Sequence, residues 1–544
     1  MEERVWQKHY DPQVPISFTY PKIPLKELFR RNVMDYPDKP YVIINDIQLS
    51  YGTVNMMVNG LANYLLSIGV KKGDRVVLMM PNIPQYVVGF HACLAIGAIL
   101  VPTNFQYTRH ELQHTFRDST PKVAIVLAAF SGNVIDLHES GDYKFEKILT
   151  VQLQNMPMEV KPCSAAIDFT EAIQSLGDFS EPDVEVLPED LAILQYTGGT
   201  TGVSKGCCLS NANVLAMAMQ TTMAISANCP LNDIKTLAAI PLYHIYGENT
   251  NLNVCLISGG SMVLVPDPTN PLNILEAVKK HKPTVWASVP AMIIGINNHP
   301  ETPNYDIGSI KIIIGGSSPI AVEAIRKFEE LSGGIIIEGY GLSESSNVLT
   351  VNTLNKRKVG TVGIPMPDVD IRLVDLETGT EDVPLGEPGE LIAKAPQIMS
   401  GYWRNQEETD NAIRDGWLYT GDIATMDEDG FVTIVDRKKD MIICSGFNVY
   451  PRDIDEVLYT HPKVLETCCI GVPDEKRGES PKAYVVLKTG ETATAEEFIT
   501  YCKEKLTGYK IPKYIEFIDE LPRTQVGKPD RKALKELDRK NAGY

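Results

Sequence analysis

The sequence predicts an α/β fold built on parallel sheets, with a smaller antiparallel or barrel-like part in its C-terminal half. Short, continuous apolar runs alternate with helix-like segments. The candidate strands are Arg75–Met80, Ser261–Pro266, Thr284–Ser288, Lys311–Gly315 and Ile335–Ile337. Between them lie Leu61–Leu66, the amphipathic Asn273–Lys280 and Ile320–Leu331, which read as helices. Strands apolar on both faces belong to parallel sheets covered by helices on both sides. From Val369 to Ile398 the pattern changes to short alternating runs broken by Pro384, Gly386, Pro388 and Gly389, as in an antiparallel or barrel-like subdomain. The charged string Asp436–Asp440 separates two apolar segments and reads, on composition, as an exposed turn.

A chain of 544 residues exceeds one hydrophobic core and suggests several domain-sized units. Its composition, 44% hydrophobic and 22% charged, is that of an ordinary globular enzyme. The net charge of −18 is unevenly spread: residues 436–544 carry 20 Lys and Arg against 19 Asp and Glu, so the acidity lies upstream. That balance argues against a nucleic-acid-binding surface, which needs a basic footprint. The ten cysteines show no zinc-ligand spacing and no disulfide framework, which fits a reducing compartment. The N-terminus lacks the apolar core of a signal peptide, and the longest apolar stretch, around Ala92–Val101, is too short to span a bilayer. A cytoplasmic location is expected, with no basic amphipathic anchor for a membrane surface. Nothing specifies the oligomeric state, and a homodimer is compatible.

The most informative stretch is Tyr196–Gly206, Tyr-Thr-Gly-Gly-Thr-Thr-Gly-Val-Ser-Lys-Gly, directly after the apolar run Leu191–Leu194. Glycines let successive backbone N–H groups converge on an anion. Thr197, Thr200 and Thr201 add hydroxyls, Lys205 adds a mobile cation, and Gly198, Gly199 and Gly202 supply the freedom to wrap a phosphate. The spacing is not that of the usual P-loop. Further along stand Pro241-Leu-Tyr-His-Ile-Tyr-Gly247, Gly315-Gly-Ser-Ser-Pro319, Ile337-Glu-Gly-Tyr-Gly-Leu-Ser-Glu344, Trp417-Leu-Tyr-Thr-Gly-Asp422, Ser445-Gly-Phe-Asn-Val-Tyr-Pro451 and Leu521-Pro-Arg-Thr-Gln-Val-Gly-Lys-Pro-Asp-Arg531. Taken singly, each has a plain structural explanation. His244 reads as a packed core histidine, Glu344 as a solvated carboxylate, Asp422 as a turn residue and Lys528 as a solvated charge.

In this order the motifs resemble those of the adenylate-forming superfamily: acyl- and aryl-CoA ligases, peptide-synthetase adenylation domains and beetle luciferases. The resemblance runs from about Ile23 to Leu534. The chain departs from the family pattern at Gly198 (usually serine), Ser204 (usually proline), Ser343 (commonly threonine) and Pro529 (often isoleucine). The resemblance implies an N-terminal domain over 1–435 of stacked mixed or parallel sheets with helices, including a barrel-like subdomain at about 365–435. It also implies a hinge at 436–440 and a small, mobile α+β domain over 441–544.

The implied function is ATP-dependent carboxylate–CoA ligation: acyl-AMP and pyrophosphate form first, then acyl-CoA and AMP. ATP, Mg²⁺, CoA and a small carboxylic acid are the implied partners. Thr197, Gly198, Gly199, Thr200, Thr201, Gly202 and Lys205 would hold phosphate. Ser317, Glu338, Gly339, Tyr340, Gly341 and Ser343 would hold adenine, with Tyr340 stacked on the base. Asp422 would take the ribose hydroxyls, supported by Arg437. Thr197 and Glu344 would serve Mg²⁺, His244 would stand beside the acyl group, Lys439 would be the pivot, and Gly446 would leave room for the pantetheine arm. Lys528 would bridge the substrate carboxylate and the α-phosphate, offsetting repulsion between two anions.

The acid is expected to be a medium- to long-chain fatty acid, because Gly247, Gly315 and Gly316 leave space for a chain. Trp286, Glu248 and Asn249 would have to be accommodated if they face that space. The alternatives are an aryl or short, branched acid, and a carrier-protein-loading adenylating enzyme, although no carrier domain follows Tyr544. A nucleotide-binding relative without catalysis is disfavoured by Lys205, Glu344, Asp422 and Lys528. Ile443, where some relatives carry lysine, argues against luciferase-type oxidation.

Overall fold

The computed structural model describes all residues except 1–3, 154–157, 198–203, 227, 446, 475, 525–527 and 543–544. The chain divides into two compact units, Met1–Asp370 with Lys394–Leu418, and Ile371–Ala393 with Tyr419–Tyr544.

The first unit contains a nine-stranded and a seven-stranded sheet. In the larger one, Lys235–Ala238, Ser261–Leu264, Val285–Ser288, Ile312–Gly315 and the start of Ile335–Leu342 run parallel. These strands are buried along almost their whole length, as expected where helices cover both faces. Of the helices between them, Pro271–His281 extends the expected segment at both ends, and Val322–Ser332 begins two residues later and ends one later than expected. The smaller sheet is parallel through Arg75–Met79, Ile99–Pro102, Val123–Leu127, Lys147–Val151 and Ala166–Asp168, and Leu191–Tyr196 joins it in parallel too. An antiparallel hairpin, Leu191–Tyr196 with Gly206–Ser210, closes its edge. The apolar stretch at Ala92–Val101 is the end of helix Pro84–Ala95 and a buried strand, and no helix among the described residues is long and apolar enough to cross a membrane.

A five-stranded, curled half-barrel is built from Asp370–Val374, Gly389–Lys394, Ile413–Arg414, Trp417–Met426 and Val432–Arg437. The last body is α+β: antiparallel strands Val464–Asp474 and Gly478–Leu487 with helices Pro451–Tyr459, Ala495–Lys503 and Arg531–Ala542. All ten cysteines are free thiols and nine are buried.

Trp286 does not face a substrate space. It is fully buried in the core behind the large sheet, its ring 5.5 Å from Phe328 at a 45° tilt, where the parallel strand points its side chain toward the covering helices. Trp286→Ala is therefore expected to cost about 3–5 kcal/mol of stability and to leave the preference among acids unchanged. Urea unfolding and a substrate panel read the two effects separately.

Candidate active site

The hairpin after Leu191 positions the base of the glycine-rich loop. Tyr196 pairs with Gly206 across it, and the Thr197 N–H donates to Lys205 O at 3.0 Å. The Ser204 hydroxyl donates back to Thr197 O, tightening the neck. A Cβ on Gly206 would lie 3.1 Å from the Tyr196 ring, so the glycine permits that ring to fold across the strand. The Tyr196 hydroxyl donates to Asp118 at 2.5 Å. Gly198, Gly199, Thr200, Thr201 and Gly202 lie outside the described residues.

Lys205 emerges from this neck into a group that sequence reading missed. Its Nζ lies 2.5 Å from Glu408 Oε2 and 4.6 Å from the centroid of the Tyr402 ring. The Tyr402 hydroxyl donates to Glu344 Oε1 at 2.7 Å. One aromatic side chain thus joins the loop lysine to the glutamate of the second motif. Burial first, and the Glu344 carboxylate next, push the Tyr402 phenol far up, so it stays a donor. The segment is held by backbone pairing: Trp403 N–H donates to Gly206 O at 2.8 Å and Cys208 N–H to Gly401 O at 2.9 Å. Tyr402 and Glu408 lie some 200 positions downstream of Lys205. No local motif announces them, although Gly-Tyr-Trp at 401–403 followed by Glu407-Glu408 was the available signal.

The strand expected at Ile335–Ile337 runs on through most of the motif, to Leu342. Ile335–Leu342 continues through it, turning from parallel pairing with Ile312–Gly315 to antiparallel pairing with Asn347–Val351. A Cβ at Gly341 would sit 1.5 Å from Asn347 O, so the sharp return of the chain requires glycine there. Gly339 is less constrained, a Cβ there lying 3.1 Å from Thr350 O. Tyr340 is half-buried between the two glycines. Glu338 is buried and accepts from Ile320 N–H at 3.3 Å. Glu344 and Ser343 form the single turn that follows. Ser317, two residues past the neighbouring strand Ile312–Gly315, has a left-handed conformation, φ 77°, with its hydroxyl buried and unpartnered among the described residues. Strained backbone with an unused donor is a feature of ligand sites.

His244 is half-buried, and its Nδ1 accepts from Tyr246 N–H at 3.2 Å, capping a short helix. The space expected at three glycines is filled. A Cβ on Gly247 would lie 2.2 Å from Pro241 O, on Gly315 2.5 Å from Ile320 Cδ1, and on Gly316 3.1 Å from the Tyr246 ring. These residues are glycine because backbone and ring pack onto them, not to leave a tunnel. Glu248 and Asn249 are fully buried on the six-residue π-helix that follows. Burial raises Glu248 to about 8, with Asn253 hydrogen bonding in opposition, so its carboxyl is neutral at pH 7.

In the second unit Asp422 lies within strand Trp417–Met426, not at a bare turn, and its register partner is Arg437. The Arg437 Nε lies 3.3 Å from Asp422 Oδ1. Lys528 is half-buried within electrostatic reach of both. Desolvation first, and repulsion from Arg437 second, lower its ammonium to about 8 against the pull of Asp422. Its backbone is tied to Thr524: Thr524 N–H donates to Lys528 O at 2.7 Å, and Lys528 N–H to the Thr524 hydroxyl at 3.2 Å. Lys439 belongs to the same charged set, exposed beside Arg437 and Asp440. Gly446 lies outside the described residues, and its neighbours Ile443 and Phe447 stand exposed on a hairpin.

One other cluster, His138, Glu139 and Cys163, gathers metal-binding atoms. It suits a metal poorly, since His138 Nδ1 already accepts from Phe145 N–H at 3.1 Å, which leaves the proton on Nε2.

A family model described as "AMP-binding enzyme" matches residues 29–403, and one for the "AMP-binding enzyme C-terminal domain" matches residues 453–528. The chain belongs to this adenylate-forming family. It is 38% identical to a long-chain-fatty-acid–CoA ligase of Bacillus subtilis over 99% of both chains, and 37% identical to one of Yersinia pestis over 98% of both. Among solved structures, the anthranilate–CoA ligase AuaEII with anthranoyl-AMP aligns at a TM-score of 0.86, with 25% identity over 96% of this chain and 98% of that one. ATP-bound MatB from Rhodopseudomonas palustris aligns at 0.82, with 29% identity over 95% and 99%. The chain is an AMP-forming acid–thiol ligase that takes ATP, a carboxylic acid and CoA.

Gly341→Ala is expected to force the two antiparallel segments apart at a cost of about 2–3 kcal/mol. It should weaken ATP binding in calorimetry, together with a lowered melting temperature.

Proposed function

We propose that the enzyme activates a medium- to long-chain fatty acid in two half-reactions on shared residues. In the first, a carboxylate oxygen attacks the α-phosphorus of ATP, a new acyl O–P bond forms, and the bond to the β-phosphate oxygen breaks to release pyrophosphate. In the second, the CoA sulfur attacks the acyl carbon and the C–O bond to AMP breaks.

The observation that carries the mechanism is the grouping of Lys528 with Asp422 and Arg437. A cation beside a ribose-binding carboxylate stands where it can meet both the incoming carboxylate and the α-phosphate. The repulsion between those anions is the main electrostatic barrier to in-line attack. Lys205, with the Thr197–Gly202 loop, takes the outer phosphates, which displace Glu408 from the ammonium. Tyr340 covers the adenine, with Ser317, Glu338, Gly339, Gly341 and Ser343 around it. His244 flanks the acyl group. Glu344 and Thr197 offer the hard oxygen donors that suit Mg²⁺, which when bound neutralises phosphate charge. The C-terminal part then turns about Lys439 within the hinge 436–440. That presents the hairpin around Gly446, with its exposed Ile443 and Phe447, to the pantetheine arm.

The fatty-acid assignment is supported by full-length relatives named as long-chain-fatty-acid–CoA ligases. A second reading, an aryl or short acid, is favoured by the filled glycine positions and by the anthranilate, o-succinylbenzoate and benzoate ligases among the structural neighbours. Pyrophosphate release across acetate to palmitate, benzoate and cinnamate, with and without CoA, separates them. CoA-dependent turnover peaking at eight or more carbons supports the first, and a peak on benzoate or a short acid the second. Adenylation that CoA fails to accelerate would point to a carrier protein as acceptor.

Lys528→Ala is expected to abolish most adenylate formation while sparing thioester formation from supplied acyl-AMP. Equal loss in both would remove the lysine from this role. Because the ammonium of the free enzyme titrates at about 8, kcat/KM for adenylation should fall as pH rises past that value and the cation is lost. Lys528→Arg, which keeps its charge, should lose that limb of the pH profile.

A further inference from the structure

Asp436 is almost wholly buried, its side chain 1% exposed, on the strand that also carries Arg437. Its Oδ1 accepts from Arg437 N–H at 2.7 Å, and its Oδ2 from Arg452 N–H at 2.9 Å in the first turn of helix Pro451–Tyr459. Arg531 Nη1 lies 3.6 Å from the same carboxylate. The rest of that guanidinium is held elsewhere: Nη2 donates to Asp455 Oδ2 at 2.9 Å and Nε to Cys469 O at 3.1 Å. Asp455 is fixed in turn by Cys469 N–H at 2.6 Å. Arg531 stands three residues after Lys528, and Asp436 one residue before Arg437. One guanidinium thus couples the lysine's loop to the strand that faces Asp422.

The two groups of contacts differ in where they lie along the chain. Asp455, Cys469 and Arg531 all lie C-terminal to Lys439, whereas Asp436 precedes it. A rotation about Lys439 keeps the first group together and separates Asp436 from both Arg452 and Arg531. The Lys535–Asp440 pair, 3.7 Å apart, lies beside the same pivot.

We propose that the Asp436–Arg531 pair, with the contact from Asp436 to Arg452 N–H, is a latch that holds Lys528 against Asp422 and Arg437 for adenylation and opens for thioester formation. This rests on the two-half-reaction reading above. Asp436 and Arg531 are positioning residues that act through Lys528. A buried carboxylate facing a guanidinium favours the arrangement in which both are paired, and removing one charge shifts the population away from it.

The test uses the full chain with Asp436→Asn, which retains an oxygen acceptor for a backbone N–H and removes the charge. Adenylate formation is read as single-turnover pyrophosphate release with the best acid of the panel. Thioester formation is read from synthetic acyl-AMP of that acid plus CoA. Adenylation is expected to slow about tenfold, as a modest population shift implies, while thioester formation is unchanged or faster. Asp455→Asn, whose contact with Arg531 does not cross the pivot, should move both half-reactions together. Asp436→Ser gives a second measure of the split, with melting curves establishing that each variant is folded. Equal loss in both half-reactions of the Asp436 variants, or no change in either, overturns the latch. A wild-type protein silent on every acid would instead overturn the functional reading, and the latch with it.

Discussion

The second unit is organised around an electrostatic conflict. Lys528 is half-buried near another cation, Arg437, and both desolvation and repulsion disfavour its charge. Asp422 is the compensating anion, and it must face both without drifting. The strand pairing of Asp422 with Arg437 fixes two of the three charges on rigid backbone. The third is tied through its own N–H to Thr524 and is flanked along the chain by two arginines. Arg523 grips Glu466, and Arg531 grips Asp455. The fold thus already bears the cost of holding this ammonium away from water.

The first unit solves a related problem in another way. Lys205 is paired with Glu408 and lies on the face of Tyr402, so in the absence of nucleotide its charge is balanced by a carboxylate that a phosphate can replace. Tyr402 meanwhile donates to Glu344. Exchanging one anion for another leaves the local charge balance nearly intact, which keeps the reorganisation on binding small. Asp422 is placed by strand pairing, and Glu408 by the helix Gln406–Ala412 that follows the paired segment at 401–403.

What could be read from the sequence was whatever is local or ordered along the chain. The glycine-rich loop stood out because its residue types and spacing suit an anion, whereas Glu344, Asp422 and Lys528 stood out only through the order of several motifs along the chain. The parallel strands were legible because they are apolar on both faces. Tyr402 and Glu408 were not, because their contact with Lys205 is created by the pairing of Gly206 and Cys208 with residues 401–403, a long-range event. The glycines were misread for a similar reason. A missing Cβ signals either open space or close approach, and only the positions of Pro241, Ile320 and Tyr246 show that Gly247, Gly315 and Gly316 belong to the second kind. The sequence leaves open whether Trp286 faces the acyl space, and strand alternation directs it into the core under the helices.

The π-helix after His244 shows how far local composition can mislead about polarity. Glu248, Asn249, Asn251 and Asn253 would suggest a wetted surface, yet all are fully buried. Asn253 donates to Glu248 at 3.2 Å and to Asn249 at 2.9 Å, and Asn249 donates to Ser346 O. Ser346 donates to Gln397 O at 2.7 Å, and Gln220 reaches Gln397 at 3.2 Å. With Glu248 neutral, this run of buried groups carries no net charge and avoids the heavy cost of an unpaired anion. It ends two residues from Glu344. The polar side chains therefore tie the segment that follows His244 to the turn that presents Glu344, although Glu248 Oε2, Asn251 Oδ1 and Asn253 Oδ1 have no partner among the described residues. An apolar helix in the same place would pack as well but would leave the turn at Ser346, whose φ is 53°, without the hydrogen bonds that offset its strain.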